Sequence, residues 1–142
     1  FLEYYFKNCS KKTKIYNGIQ NFIIEMKKKN LKIGLCTIKK QYLTEKILED
    51  LKINNYFDAI VGSSIDIKLK PDTEMLEICL DKLHSKPRNS IMIGDSENDI
   101  IPANKLNMTS IFVNYGYGQL KNEIQPNFKI NRIDLLKDLL VI

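Results

Sequence analysis

Histidine, arginine and cysteine are scarce in these 142 residues: one imidazole, His84, two guanidinium groups, Arg88 and Arg132, and three thiols, Cys9, Cys36 and Cys79. The thiols are odd in number, widely spaced and without a C-x-x-C pair, which excludes a disulfide framework and a zinc site of the usual spacing. Reduced thiols are expected. A phosphatase that attacks with cysteine needs an arginine six positions on to hold the phosphate, and those positions are Ile15, Tyr42 and Ser85. His84, in LHSKPRN after a helical pattern, reads as a surface residue rather than a catalytic one. With nitrogen and sulfur ligands so few, a metal here has to be held by oxygen, which means Mg2+ or a similarly hard ion.

The shortage of arginine also bears on charge. The chain carries 22 basic and 17 acidic groups, net +5, and the excess is uneven: residues 1–70 hold 14 basic and 7 acidic groups, residues 71–142 hold 8 and 10. A basic half can signal nucleic acid. Twenty of the 22 basic residues are lysine, however, and arginine is the side chain suited to forked contacts with phosphate and guanine. A solvated lysine face with no nucleic-acid partner is the expectation. Long apolar runs are missing too. None approaches the roughly 18 residues of a membrane helix, and FLEYYFKNCSKK at the start lacks the basic leader and apolar stretch of a signal peptide. A cytoplasmic protein with no membrane partner is expected, and a first residue of Phe1 rather than Met points to a fragment or processed product.

What is present is 44% apolar residues in a regular alternation. A chain of this length buries roughly two-thirds of its unfolded surface, enough for a core without staples. Ile19, Phe22, Ile23 and Met26 recur at helical spacing over about 17–29, with Asn30 where a left-handed cap is wanted. KIGLCT (32–37) reads as a buried strand, 41–52 as a helix, DAIVG (58–62) as a strand, and 72–83 as a helix with Pro71 in its first turn. SIMIG (90–94) is a strand leading through DSEND into a helix to about 106, SIFV (110–113) a further strand, and 132–140 a last helix. Strands separated by helices of this length make β-α-β units, hence an α/β fold with a mostly parallel sheet covered on both faces.

Ligands of open parallel sheets bind beyond the carboxyl ends of the strands. Three polar features fall there. Thr37 ends one strand and offers a hydroxyl and the amides that follow. Lys70, in KLKPD, offers a fixed positive charge. Asp95 and Asp99, in GDSEND after Gly94, offer carboxylates, with Ser96 placed to cap the helix. Each alone has a bland reading as strand end, solvated lysine or helix cap. Together they are what a phosphoryl group with Mg2+ requires, because carboxylates hold the metal while lysine, hydroxyl and amide donors take the phosphate oxygens. Neither G-x-x-x-x-G-K-[ST] nor G-x-G-x-x-G occurs, so nucleotide-binding alternatives lose their main support.

The combination of TKIYNGI, LCTIKK, YFDAIVGS, LKPDTEM, IMIGDSENDI and VNYGYG over roughly residues 15–120 resembles the haloacid dehalogenase (HAD) superfamily, in its phosphoglycolate phosphatase-like branch. The resemblance implies a three-layer Rossmann-like core over 15–142, preceded by a remnant of cap helix and linker over 1–14. It implies a phosphatase acting on a small phosphorylated metabolite, such as 2-phosphoglycolate, with Mg2+. It gives phosphate binding to Thr37, the Ile38 amide and Lys70, metal ligation to Asp95, and a catalytic part to Lys70 and Asp99. Ile38 stands where Asn or Ser is common, Asn17, Asn30 and Asn107 replace Pro or Gly at turns, and Pro102 replaces Ala. The main departure is that the D-x-D-G-T nucleophile motif of the family is absent from this sequence, as is most of the cap. Its strand lies centrally in the family, between those ending at Thr37 and Asp95, so the sheet is expected to be incomplete and the chain alone inactive and poorly stable or rearranged. Other readings are a non-catalytic phosphate-binding or regulatory module, one half of a split phosphatase, a pyrophosphatase or phosphoglucomutase-like enzyme, and a lysine-mediated nucleic-acid binder. Substrate identity lies mostly with the cap, and the oligomeric state stays open.

Overall fold

Apolar residues three and four apart build the first helix, α1 (Ile19–Lys28), with Ile23 and Met26 buried. The computed structural model describes residues 18–114, 119–121 and 123–135. Asn30 ends the helix in the left-handed region at φ 61°, and the Leu31 amide bonds back to the Met26 carbonyl at 3.1 Å. The expected alternation follows: β1 (Gly34–Lys40), α2 (Gln41–Asp50), β2 (Ala59–Ser63), α3 (Glu74–Lys82), β3 (Ile91–Gly94), α4 (Glu97–Lys105), β4 (Thr109–Val113) and β5 (Phe128–Ile130).

Every described strand pair is parallel. β1 pairs with β2, and β3–β4–β5 form a separate three-stranded sheet. The sheet is thus incomplete, in two parts with no rung between β1 and β3. Helices cover both faces of these parts. Met75 and Cys79 of α3 pack on Ala59 and Val61 of β2, and Leu76 and Leu80 of α3 meet Ala103 of α4 with Cys36 and Met92 alongside. On the opposite side Ile19 and Phe22 of α1 lie against Ile111, Val113, Ile130 and Ile93. Because successive strand residues point to opposite faces, Met92 serves the α3–α4 side and Ile93 the α1 side. This is the three-layer α/β architecture.

Details differ from the expectation in ways that matter for the site. Helix α3 begins at Glu74, so Pro71 precedes it instead of opening it. Asp72 Oδ1 accepts the Glu74 amide at 3.0 Å and the Asp72 amide bonds to the Leu69 carbonyl, so the KPD segment is a turn. Strand β1 runs on to Lys40, but its register with β2 slips between Cys36 and Lys40. β5 was not expected, being three residues long. It follows a side-chain knot in which buried Ser110 donates its amide to Asn127 Oδ1 (2.8 Å) and its hydroxyl to Asn104 Oδ1 (2.7 Å). Of the expected last helix, Ile133–Leu135 form a 3-10 turn, and 136–142 lie outside the described residues. The cap remnant 1–14, Asn17 and the YGYG of 115–118 also lie outside them. No helix among the described residues is long and apolar enough to cross a membrane.

Candidate functional site

The carboxyl ends of β1 and β3 meet at one ammonium group. Lys70 Nζ donates to the carbonyl of Cys36 at 3.0 Å, at the last regular rung of β1, and forms an ion pair with Asp99 Oδ1. Both side chains are deeply buried, with 7% and 10% of their surface exposed. Charges taken this far from water need close partners, and each has several. The other carboxylate oxygen of Asp99 accepts the Asp95 amide at 3.2 Å and the Ser96 hydroxyl at 3.4 Å.

The chain delivers these groups through short, constrained segments. β3 ends at Gly94, Asp95 follows, and α4 starts at Glu97 with Asp99 in its first turn, where helix dipole and carboxylate attract. Ser96 holds the N-cap position with extended backbone, but its hydroxyl makes no bond to the helix amides; it goes to Asp99 instead, which corrects the expected capping role. Gly94 is required by contact: a Cβ there would overlap Asp99 Cβ, Cγ and Oδ2. Pro102 sits inside α4 and is fully buried. Glu97 Oε1 accepts the Lys121 amide at 3.0 Å and so ties the segment after β4 to the start of α4.

The structure therefore brings Lys70, Asp99 and Asp95 together. Thr37 stands one residue beyond the carbonyl that Lys70 holds, half-buried, with its hydroxyl accepting the Lys39 amide at 3.2 Å. Ile38 is 49% exposed, its side chain outside the core. His84 lies exposed at the end of α3 with φ 52°.

A cation would find oxygen ligands only. Among the described residues no group of three or more His, Cys, Asp or Glu side chains gathers. Mg2+ suits such a sparse set, since it keeps several waters and takes one or two carboxylates plus substrate phosphate. Asp95 at the strand end, with Asp99 fixed beside it, fits that donor chemistry.

Cys36, whose carbonyl Lys70 holds, is half-buried. Burial pushes its thiol up from 9.0 to about 12, against the opposing pull of the Lys70 charge. A thiol whose folded pKa is raised contributes its stabilisation below pH 9.0, and that contribution is lost as pH rises from 9.0 toward 12. Iodoacetamide at pH 7.5 is expected to leave Cys36 unlabelled in the native protein and to label it in denaturant, as read from the mass of its peptide; rapid native labelling would show the site open to water.

Two residues that support the segment carrying Thr37 give little or no signal in the sequence. Gln41 and Gly62 lock the end of β2 against the segment that carries Thr37. A glycine inside a strand pattern is a signal of close backbone approach, and DAIVGS contained it. A single glutamine at a helix start gives none.

Comparison with known proteins gives a consistent answer. A model of the family described as haloacid dehalogenase-like hydrolase matches residues 1–113. A protein of Aquifex aeolicus named phosphoglycolate phosphatase is 30% identical over 138 residues, covering 96% of this chain and 64% of its own length. The crystal structure of "a predicted phosphatase from Clostridium acetobutylicum" superposes with a TM-score of 0.81 at 36% identity, over 91% of this chain and 61% of that one. That of "a predicted phosphoglycolate phosphatase" from Haemophilus somnus gives 0.87 at 21% identity, over 97% and 63%, a likeness of fold. The chain thus spans less than two thirds of the length of each of these proteins.

Proposed function

Since the chain belongs to the haloacid dehalogenase-like hydrolase family, we propose that it is the C-terminal part of a Mg2+-dependent phosphomonoester hydrolase acting on a small phosphorylated metabolite, with 2-phosphoglycolate the first candidate. The observation that carries this reading is the buried Lys70–Asp99 pair, set where the ends of two parallel strands converge. An ammonium so placed is worth more toward a phosphate than a surface lysine, because water does not screen it. The name of the Aquifex relative supports the substrate.

In this reading Thr37 and the amide of Ile38 take phosphate oxygens, Lys70 neutralises a further oxygen, and Asp99 keeps the ammonium charged and aimed. Asp95 holds Mg2+. The ion, when bound, offsets the negative charge of the phosphate. The nucleophilic aspartate of the family lies outside this sequence, which contains no D-x-D-G-T, so the 142-residue chain by itself gives no turnover. Residues 15–142 form the core domain and residues 1–14 the end of a cap and linker. β1 and β3 each have a single strand partner among the described residues, which favours as second reading a half-enzyme completed in trans by another strand.

Hydrolysis of 2-phosphoglycolate by the native protein, measured as released phosphate with and without Mg2+, is the test. Asp95→Asn is expected to lower kcat by at least about a hundredfold and remove the response to Mg2+, the scale on which a missing charge-stabilising group acts. Unchanged turnover in that variant would remove Asp95 from metal binding, and turnover by the isolated 142 residues would refute the need for an external nucleophile.

A further inference from the structure

The β1–β2 ladder fails where the phosphate-binding segment begins. Its rungs run Gly34↔Ala59, Leu35↔Ile60 and Cys36↔Val61, and the next is Lys40↔Ser63. Four steps along β1 thus match two along β2, so Thr37, Ile38 and Lys39 are set out of the ladder. Backbone rungs cannot fix them. A side chain does so from the far end: Gln41, the first residue of α2, reaches back to β2 with both ends of its amide. Its Oε1 accepts the Gly62 amide and its Nε2 donates to the Ile60 carbonyl at 3.1 Å, so that one side chain grips β2 on either side of Val61, its last residue in regular register with β1. Glu45 Oε1 takes the second hydrogen of Nε2 at 2.8 Å.

Two further contacts close the device. A Cβ on Gly62 would stand 2.6 Å from Gln41 Cα, 2.7 Å from Gln41 N and 2.9 Å from the Lys39 carbonyl oxygen, so the strand end and the displaced segment touch backbone to backbone. Thr44, one turn further along α2, returns its hydroxyl to the Lys40 carbonyl at 3.0 Å. The displaced loop is thereby held at its base by α2 and β2, while the Thr37 hydroxyl receives the Lys39 amide within it.

We infer that Gln41 is a positioning residue: its side-chain amide ties the start of α2 to the end of β2 across the gap in the β1–β2 ladder and presets the Thr37–Lys39 loop to receive a phosphate group. The inference rests on the functional reading above for the identity of the ligand. It assigns Gln41 no contact with substrate. A preset loop spares the ordering of three residues at the moment of binding, so the effect falls on affinity.

The native protein, Gln41→Ala and Gln41→Glu are compared by titration with inorganic phosphate in the presence of Mg2+, by hydrogen exchange of the Thr37–Lys39 amides, and by KM and kcat. Glutamate keeps the shape and the acceptor but loses the donor to Ile60 and faces Glu45, so it reports on the loop if the alanine variant folds poorly. In both variants the phosphate Kd and KM are expected to rise roughly tenfold, with kcat within about twofold and exchange of the loop amides faster, the outcome of releasing a loop held by two hydrogen bonds. Unchanged phosphate affinity and loop exchange in variants beside a wild type that binds phosphate would overturn the inference and leave the phosphatase reading standing. A wild type that binds no phosphate would overturn both.

Discussion

Replacing Gly94 with alanine is expected to lower the stability of the protein by on the order of 3 to 5 kcal/mol, a fall of roughly 10 to 20 °C in Tm for a domain of this size. The added methyl would occupy the space of the Asp99 carboxylate. Two ways of relieving the clash exist, and each is costly. If Asp99 swings away, Lys70 is left buried without its counter-charge, and the Asp95 amide and Ser96 hydroxyl lose their acceptor. If the backbone moves instead, β3 must shift along β4, to which Gly94 is paired through Phe112. Thermal unfolding followed by circular dichroism measures the loss. A variant within about 0.5 kcal/mol of wild type, the usual range of a harmless surface change, would mean that Asp99 is not packed on Gly94 as described.

The second large effect comes from the ion pair itself. Lys70→Met should cost about 3 to 5 kcal/mol, because it leaves the Asp99 carboxylate buried and uncompensated. The double variant Lys70→Met with Asp99→Asn should recover most of that loss. The asparagine carbonyl still accepts the Asp95 amide, the buried charge is gone, and the remaining deficit is the single bond from Lys70 to the Cys36 carbonyl, about 0.5 to 1.5 kcal/mol. Denaturant melts of the two single variants and the double variant give the coupling directly. Additive losses would show that the two groups do not sense each other. The pair is thus costly to break from one side and much less so to replace from both, and the double variant Lys70→Met with Asp99→Asn should give a folded protein without the ammonium.

Much of this was visible in the residues. The alternation of apolar runs and helical stripes matches the order of the elements from α1 to β4, and LKPD and GDSEND contain the residues, Lys70 with Asp95 and Asp99, that the structure brings together. What escaped has a common cause. Helix α3 starts late because Asp72 prefers to accept a backbone amide locally, a choice no periodicity encodes. Ser96 carries the signature of a helix cap and spends its hydroxyl on a carboxylate three residues away. β5 is too short for a pattern, and its place follows from contacts among Ser110, Asn104 and Asn127 that lie far apart along the chain. The pairing of Asp99 with Lys70 escaped for the same reason. As a sequence position Asp99 supports Asp95, but in space it is the partner of Lys70 from 29 residues away. Gln41 offered nothing to read, since its meaning depends on a ladder slip in β1 that the apolar pattern of KIGLCT does not show.

The division of the strands into two groups also orders events in time. β1 and β2 come from residues 34–63 and β3, β4 and β5 from residues 91–130, with no interleaving between them. A ribosome releases the first group whole before the second has been made, and each crossover within a group is short enough to close early. The contact between Lys70, which follows the first group, and Asp99, which lies within the second, can form only when the two have met. Interactions formed after the rate-limiting step act on how fast a protein comes apart and leave its rate of formation alone. Loss of the Lys70–Asp99 contact in Lys70→Met is accordingly expected to speed unfolding and leave the folding rate nearly unchanged, as the two arms of a denaturant chevron would show.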